Sequence, residues 1–165
     1  MKVLVTGASG FLGINTVRRL AESGHKVRAL VNREPPSGCW NGLQVETIRG
    51  DITDRNAVQR AVDGMDAVVN LAGKLFAPGV PVAVFEAVNV TGTRNILEVC
   101  VENGHIGKLV HCSTTGVLGE TGPVMAPEDA PYRPAIASPA TLPRSKFMPA
   151  SGHLAPNLAS PGYPQ

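Results

Sequence analysis

Hydrophobic and polar positions follow a repeating block pattern along the first two thirds of the chain. Short apolar runs typical of buried strands alternate with longer segments in which apolar residues recur every three or four positions, as on one face of a helix. The predicted strands are Lys2–Thr6, Lys26–Val31, Val45–Ile48, Asp66–Asn70 and Lys108–Cys112. The predicted helices are Gly13–Ser23, a segment capped by Asp54 that runs through Val62, and Val82–Asn103. This alternation predicts an α/β fold with a parallel sheet and helices on both faces.

A glycine-rich turn links the first predicted strand to the first predicted helix. It reads Thr6-Gly-Ala-Ser-Gly-Phe-Leu-Gly13. In such a turn Gly7 permits the tight bend, Gly10 lets the backbone approach a pyrophosphate, and Gly13 lets the helix pack closely on the strand. The N–H groups at the start of the helix favour phosphate. We therefore predict a Rossmann-type, doubly wound parallel sheet of strand order 3-2-1-4-5 that binds a dinucleotide.

Further candidate binding residues follow the later strands. Because the carboxyl ends of parallel strands meet at one edge of the sheet, we expect them to line a common crevice. The predicted cofactor-binding residues are Gly7, Ser9, Gly10, Phe11, Leu12, Gly13, Asn32, Arg33, Asp51, Ile52, Leu71, Ala72, Gly73 and Asn89. An arginine after the second strand suits the 2′-phosphate of NADP, so Arg33 favours NADP, whereas Glu34 leaves NAD open.

The chain changes character near residue 122. Ten of its fourteen prolines lie between Pro123 and Pro164, and prolines at this density interrupt helices. We predict a dinucleotide-binding domain over residues 1–122 and a proline-rich, mostly irregular tail over residues 123–165. A long ordered loop that wraps the domain is the alternative for the tail.

Composition narrows the class of protein further. The 165 residues are 43% hydrophobic and carry a net charge of +2, which predicts a globular domain without a nucleic-acid partner. The apolar runs are too short for a membrane span or a signal peptide. The three cysteines lack metal-ligand spacing, so we predict no metal site and expect a reducing, cytoplasmic location. Cys100 and Cys112 lie in apolar patterns and are predicted to be core residues.

Residues 1 to about 122 resemble the N-terminal half of the extended short-chain dehydrogenases/reductases, the NAD-dependent epimerase/dehydratase family. The matching segments are Thr6–Gly13, Gly50–Ile52, Asn70–Gly73, Asn89–Thr93 and His111–Gly119. The resemblance implies a nicotinamide dinucleotide on the sheet and an ancestral hydride transfer on a nucleotide sugar or another small carbonyl or hydroxyl compound. It also implies that Thr114 takes the place of the catalytic Ser or Thr of the family, with Ser113 as the alternative.

The sequence departs from the family at the catalytic tyrosine. In the family a Tyr is followed four residues later by a Lys, which lowers the phenol pKa for proton transfer. The best local match ends in Lys146 but has Leu142 at the tyrosine position, and leucine cannot transfer a proton. Either the chain is a truncated or degenerate relative, or its sequence after about residue 134 is out of frame relative to its relatives.

Three functions therefore remain open from the sequence. The first is an NAD(P)-dependent oxidoreductase or epimerase that acts on a small molecule. The second is a non-catalytic NADP(H)-binding or regulatory module, and the third is an inactive fragment. Because the predicted sheet lacks strands beyond the fifth, we also expect marginal stability or self-association, as a homodimer through the long helix.

Overall fold

Five parallel strands form the centre of the structure, a computed structural model that describes residues 1–75, 77–114, 118, 127, 129 and 130. The strands are β1 (Lys2–Thr6), β2 (Lys26–Val31), β3 (Val45–Arg49), β4 (Ala67–Asn70) and β5 (Lys108–His111). Their order in the sheet is β3-β2-β1-β4-β5, and every neighbouring pair is parallel. The predicted fold class and strand order are confirmed. The residues of the predicted tail lie outside the described residues, apart from 127, 129 and 130.

The helices lie where the sequence places them, with two differences. They are α1 (Phe11–Glu22), α2 (Arg55–Val62), α3 (Val82–Phe85) and α4 (Thr93–Asn103). Helix α1 begins two residues earlier than predicted, because Gly10 is its extended N-cap residue. The predicted long helix is divided by a π-helical segment, Glu86–Gly92, that connects α3 to α4. Such wide turns depend on tertiary contacts, so the apolar period of the sequence did not reveal this one.

Two apolar clusters cover the two faces of the sheet. Alternate residues of a strand point to opposite faces, so Leu4 joins one cluster and Val5 the other. The first cluster packs α2 and α4 against the sheet, with Leu4, Val58, Val62, Val68, Ile96 and Val99 at its centre. The second packs Val17 of α1 and the partly buried Trp40 against Val3, Val5, Ala29 and Val31 of the sheet. This packing fixes the starts of α1 and α4 relative to the strands.

Polar contacts close both ends of α2. Asp54 caps α2 as predicted, and its carboxylate accepts a hydrogen bond from the N–H of Asn56 at 2.9 Å. The guanidinium of Arg28 donates to the carbonyl oxygens of Ala61 and Asp63, at 3.0 and 2.8 Å, at the other end of α2. These contacts satisfy backbone groups that a helix leaves unpaired at its ends.

The β5 side of the sheet is less well covered within the described residues. Val110 on β5 and Val101 on α4 are both exposed. The predicted homodimer depends on such apolar surface, and it stays a prediction. The prediction that Cys112 belongs to the core is wrong, because β5 ends at His111 and the Cys112 side chain is exposed beyond it. Cys100 is buried as predicted, and its burial raises the pKa of its thiol to about 11.

Candidate functional site

The glycine turn brings β1, β4 and the start of α1 into close contact. Gly7 has a φ of +64°, and a Cβ there would lie 2.7 Å from the backbone of Leu71 and Ala72. A Cβ at Gly13 would overlap the carbonyl oxygen of Gly7. Gly10 has no side chain with which to cap α1, so the first-turn amides of the helix remain available at its end. The structure thus gives Gly7 and Gly13 the steric roles expected of them, whereas the role of Gly10 toward a pyrophosphate stays a prediction.

An open cleft of about 450 Å³ lies at the carboxyl ends of the strands, beside this turn. Its walls come from the turn and from the segments after β2, β3 and β4. It is lined by Gly7, Ser9, Gly10, Leu30, Asn32, Arg33, Gly50, Asp51, Ile52, Leu71, Ala72, Gly73, Lys74, Leu75, Ala77 and Val88. Ten of the fourteen predicted cofactor-binding residues are among them, so the structure brings most of the predicted residues together around one cleft.

Four predicted residues do not line this cleft. Phe11, Leu12 and Gly13 form the first turn of α1, where only their backbone amides face the end of the helix, and the side chains of Phe11 and Leu12 are exposed. The side-chain amide of Asn89 binds the backbone of Lys74 instead. Sequence reasoning missed Leu30, Gly50, Lys74, Leu75, Ala77 and Val88 as lining residues. Most of them lie within two residues of a predicted residue, and this proximity in sequence is the signal that could have found them.

Two carboxylates, one in the cleft and one near it, have defined partners. An oxygen of the Asp51 carboxylate accepts hydrogen bonds from the N–H and the hydroxyl of Thr53, at 2.9 and 2.8 Å. Glu34 does not line the cleft; its carboxylate lies 3.4 Å from the guanidinium of Arg49. Arg33 does line it. The side chains that follow β2 therefore present a positive charge to this end of the cleft.

A hydrogen-bonded chain of polar side chains crosses from β1 to β5. The hydroxyl of Thr6 accepts from the N–H of Ala72 at 3.3 Å and donates to Oδ1 of Asn70 at 2.5 Å. Nδ2 of Asn70 lies 3.1 Å from Nδ1 of His111. Because an amide nitrogen only donates, Nδ1 of His111 accepts and the imidazole is neutral, with its proton on Nε2. Burial also lowers the pKa of His111, which favours the same neutral form.

The candidate catalytic hydroxyls lie at the same edge of the sheet. Ser113 and Thr114 follow β5 directly and are exposed. The N–H of Cys112 donates to the carbonyl oxygen of Asn70 at 3.0 Å, which extends the β4–β5 ladder up to this segment. Ser113 and Thr114 do not line the cleft itself. Lys146 and the Leu142 that precedes it lie outside the described residues.

The part of the chain that the structure describes holds neither a metal-binding cluster nor a membrane-spanning helix. No group of three or more His, Cys, Asp or Glu side chains there could hold a metal ion. None of the helices described is long and apolar enough to cross a membrane.

The doubly wound sheet, the glycine turn and the cleft at the strand ends define a nucleotide-binding α/β domain. The sequence model of the NAD dependent epimerase/dehydratase family matches residues 3–141. The chain belongs to this family.

Individual relatives agree with this assignment. The chain is 41% identical over 135 residues to the 2-alkyl-3-oxoalkanoate reductase of Stenotrophomonas maltophilia, covering 80% of this chain and 40% of the relative. The enzyme WbmG of Bordetella bronchiseptica, solved with NAD and UDP, superposes with a TM-score of 0.71 at 26% identity, over 81% of this chain and 44% of that one. MoeE5, solved with UDP-glucose and NAD, gives a TM-score of 0.67 at 33% identity, over 85% and 44% of the two chains. The chain thus spans about two fifths of the length of these relatives.

Proposed function

We propose that this chain is the dinucleotide-binding domain of a hydride-transfer enzyme. The observation that carries the proposal is the grouping of ten predicted cofactor-binding residues around one cleft, next to the uncapped start of α1. The residues fit such a cofactor: the position of Gly10 leaves room at the helix start, where backbone N–H groups favour a pyrophosphate. WbmG and MoeE5, which share this fold, were both solved with NAD.

Within this proposal the preferred cofactor is NADP(H). The buried Val31 stands where an acid would bind the ribose 2′-hydroxyl of NAD. Arg33 lines the cleft, while Glu34 lies beside Arg49 and does not line it. Arg33 can therefore bind a 2′-phosphate, with Asn32 beside it in the same wall. NAD remains the alternative.

The proposed reaction moves a hydride to or from a carbinol carbon when the nicotinamide cofactor is bound. Arg33 and Asp51, which follow β2 and β3, would hold the adenosine half of the cofactor, and the residues that follow β4 and β5 would face its nicotinamide half. Thr114, or Ser113 as the alternative, would there donate a hydrogen bond to the substrate oxygen. The proposed substrate is a nucleotide sugar or another small carbonyl or hydroxyl compound. It is in keeping with WbmG and MoeE5, which were solved with UDP and UDP-glucose, and with the relative named as an oxoalkanoate reductase.

NADP(H) binding without turnover is the second candidate, favoured by Leu142 at the tyrosine position. Protonation of the substrate alkoxide by a positioned acid contributes about 10²–10⁴ in rate. Leucine has no proton to give, and Lys146 has no phenol to activate. On this alternative the 165-residue chain binds NADPH but reduces neither nucleotide sugars nor aldehydes in a steady-state assay. Robust NADPH-dependent turnover would contradict it and favour the enzyme.

Fluorescence titration of NADPH into the full chain tests the proposal. We expect saturable binding, and Gly10→Val should raise the Kd more than about tenfold, because one charge-assisted hydrogen bond contributes about 1.5–3 kcal/mol. The matched control is Gly107→Val at the opposite end of the sheet, where an added Cβ would make only an ordinary contact, 3.7 Å from the carbonyl oxygen of Asp66. Absence of binding by the unmodified chain, or equal affinity after Gly10→Val, would refute the proposal.

A further inference from the structure

Three residues of the helix formed by α3, the π-helical segment and α4 contact two opposite walls of the cleft. They are Asn89 and Gly92 in the π-helical segment and Asn95 in the first turn of α4. Asparagine and glycine lower helix stability in such positions, so their presence calls for a compensating contact. Each of the three has one with a loop that follows a strand of the sheet.

Asn95 holds the wall that follows β3. Its side chain is 8% exposed, and Nδ2 donates to the carbonyl oxygens of Ile52 at 2.9 Å and Thr53 at 3.2 Å. Thr53 in turn donates both of its hydrogen bonds to the Asp51 carboxylate. One buried amide thus fixes the backbone on which Asp51 is oriented at the adenosine end of the cleft.

Gly92 permits this contact to be close. A Cβ on Gly92 would overlap the end of the Ile52 side chain and lie 2.6 Å from its Cγ1. Ile52 is itself 5% exposed and lines the cleft, so it has little room to move aside. The helix therefore approaches the adenosine wall more closely than it could if any residue other than glycine stood at position 92.

Asn89 holds the opposite wall, which follows β4. Its Oδ1 accepts from the N–H of Lys74 at 2.7 Å, and its Nδ2 donates to the carbonyl oxygen of Lys74 at 3.0 Å. The two bonds close a ring between one side chain and one backbone residue. Gly73 and Lys74 line the cleft on the side away from β2 and β3.

We propose that Asn95 and Asn89 are positioning residues for the dinucleotide, each setting one wall of the cleft. Asn95 sets the adenosine wall through Ile52 and Thr53, and Asn89 sets the β4 wall through Lys74. Neither needs to touch the cofactor. The proposal rests on the proposed function, since it assigns each wall to a part of the same bound dinucleotide.

Binding of NADPH and of its fragment adenosine 2′,5′-bisphosphate to the full chain separates the two walls. Asn95→Leu removes both donors at similar volume and should weaken both ligands by the same factor, about tenfold. Asn89→Leu should weaken NADPH about tenfold but the fragment less than about twofold. Thr91→Ala, at an exposed position between the two asparagines, is the control and should change neither affinity.

Circular dichroism and thermal melting establish that each variant is folded at the temperature of the titration. Gly92→Ala is the second adenosine-wall variant and should reproduce the pattern of Asn95→Leu. A lower melting temperature with unchanged affinities would overturn the proposal. So would an equal ratio of the loss in NADPH affinity to the loss in fragment affinity in Asn95→Leu and Asn89→Leu. So would a failure of both adenosine-wall variants to fold, because Asn95 and Gly92 would then serve the fold alone. If the unmodified chain binds neither ligand, the proposed function itself fails.

Discussion

The two ends of the parallel strands differ in whether the backbone polar groups there already have hydrogen-bond partners. The larger hollow is at the amino ends, an open groove of about 990 Å³, whereas the carboxyl-end cleft measures about 450 Å³. At this end of the strands, Arg28 and the carboxylate of Asp66 already satisfy backbone groups, the latter by accepting from the N–H of Lys2 at 2.6 Å. In the cleft, a glycine turn and an uncapped helix start leave directed donors for a ligand. Cavity size is therefore a poorer guide to this site than the availability of oriented polar groups.

The largest expected effect comes from Gly13→Val, which tests whether the turn supports the fold as well as the cleft. The added side chain would overlap the carbonyl oxygen of Gly7 and place its Cβ 2.6 Å from the Cα of Ala8. Since both are backbone atoms beneath α1, we expect no cooperative thermal unfolding by circular dichroism. Gly107→Val, at the amino-end side of the sheet, should melt like the unmodified chain. A native-like melting curve for Gly13→Val would contradict the packing described.

The second prediction perturbs only the carboxyl end. Arg33→Ala should weaken NADPH by about one to two decades, as expected for a charge-assisted hydrogen bond of about 1.5–3 kcal/mol, and leave NADH nearly unchanged. The control is Arg49→Ala, which removes a neighbouring cation that does not line the cleft and should alter NADPH affinity less than about twofold. Equal losses for NADPH and NADH would instead assign Arg33 a general structural role. Parallel fluorescence titrations give both numbers.

The third prediction perturbs only the amino end. Arg28→Met removes the donors at the end of α2 and the ion pair with Glu46 at 2.9 Å, and should lower the free energy of unfolding by about 1.5–3 kcal/mol. Lys26→Met changes an exposed cation of the same strand and groove and should have little effect. Urea unfolding measures both. The Kd for NADPH of folded Arg28→Met should equal that of the unmodified chain; a large rise would show that the two ends are coupled.

The smallest expected effect is a pH dependence of stability at His111. Burial holds the pKa of the folded imidazole below its ordinary value of about 6.5, so the unfolded chain binds the proton more readily. The stabilising contribution is complete above pH 6.5 and is lost as the pH falls from there through the folded pKa. Melting temperatures between pH 7.5 and 5.5 should fall less steeply for His111→Asn, whereas His105→Gln should retain the full slope. An unchanged slope in His111→Asn would assign the pH dependence to other groups.

The part of the site that could be predicted is the part determined locally. Gly7, Gly10 and Gly13 follow a strand in a fixed spacing, and their steric roles follow from that spacing alone. The contacts of Asn89 and Asn95 could not be predicted, because their partners Lys74 and Ile52 are distant in sequence and a helical period carries no information about them. Cys112 shows a related limit: an apolar pattern does not reveal the residue at which a strand ends, and β5 ends at His111.

The strand order also has a consequence for how the chain is made. Strand β1 is synthesised before the other four strands, yet it lies at the centre of the sheet between β2 and β4. Its residues Leu4 and Val5 are fully buried only when both neighbours have paired with it. In a nascent chain, β1 therefore lacks one of its two neighbouring strands until about residue 70 has been translated. Non-local pairing of this kind slows folding and exposes apolar segments to aggregation. The nucleotide cleft is consequently completed only after β4 has been synthesised, although its glycine turn is translated before β2, β3 and β4.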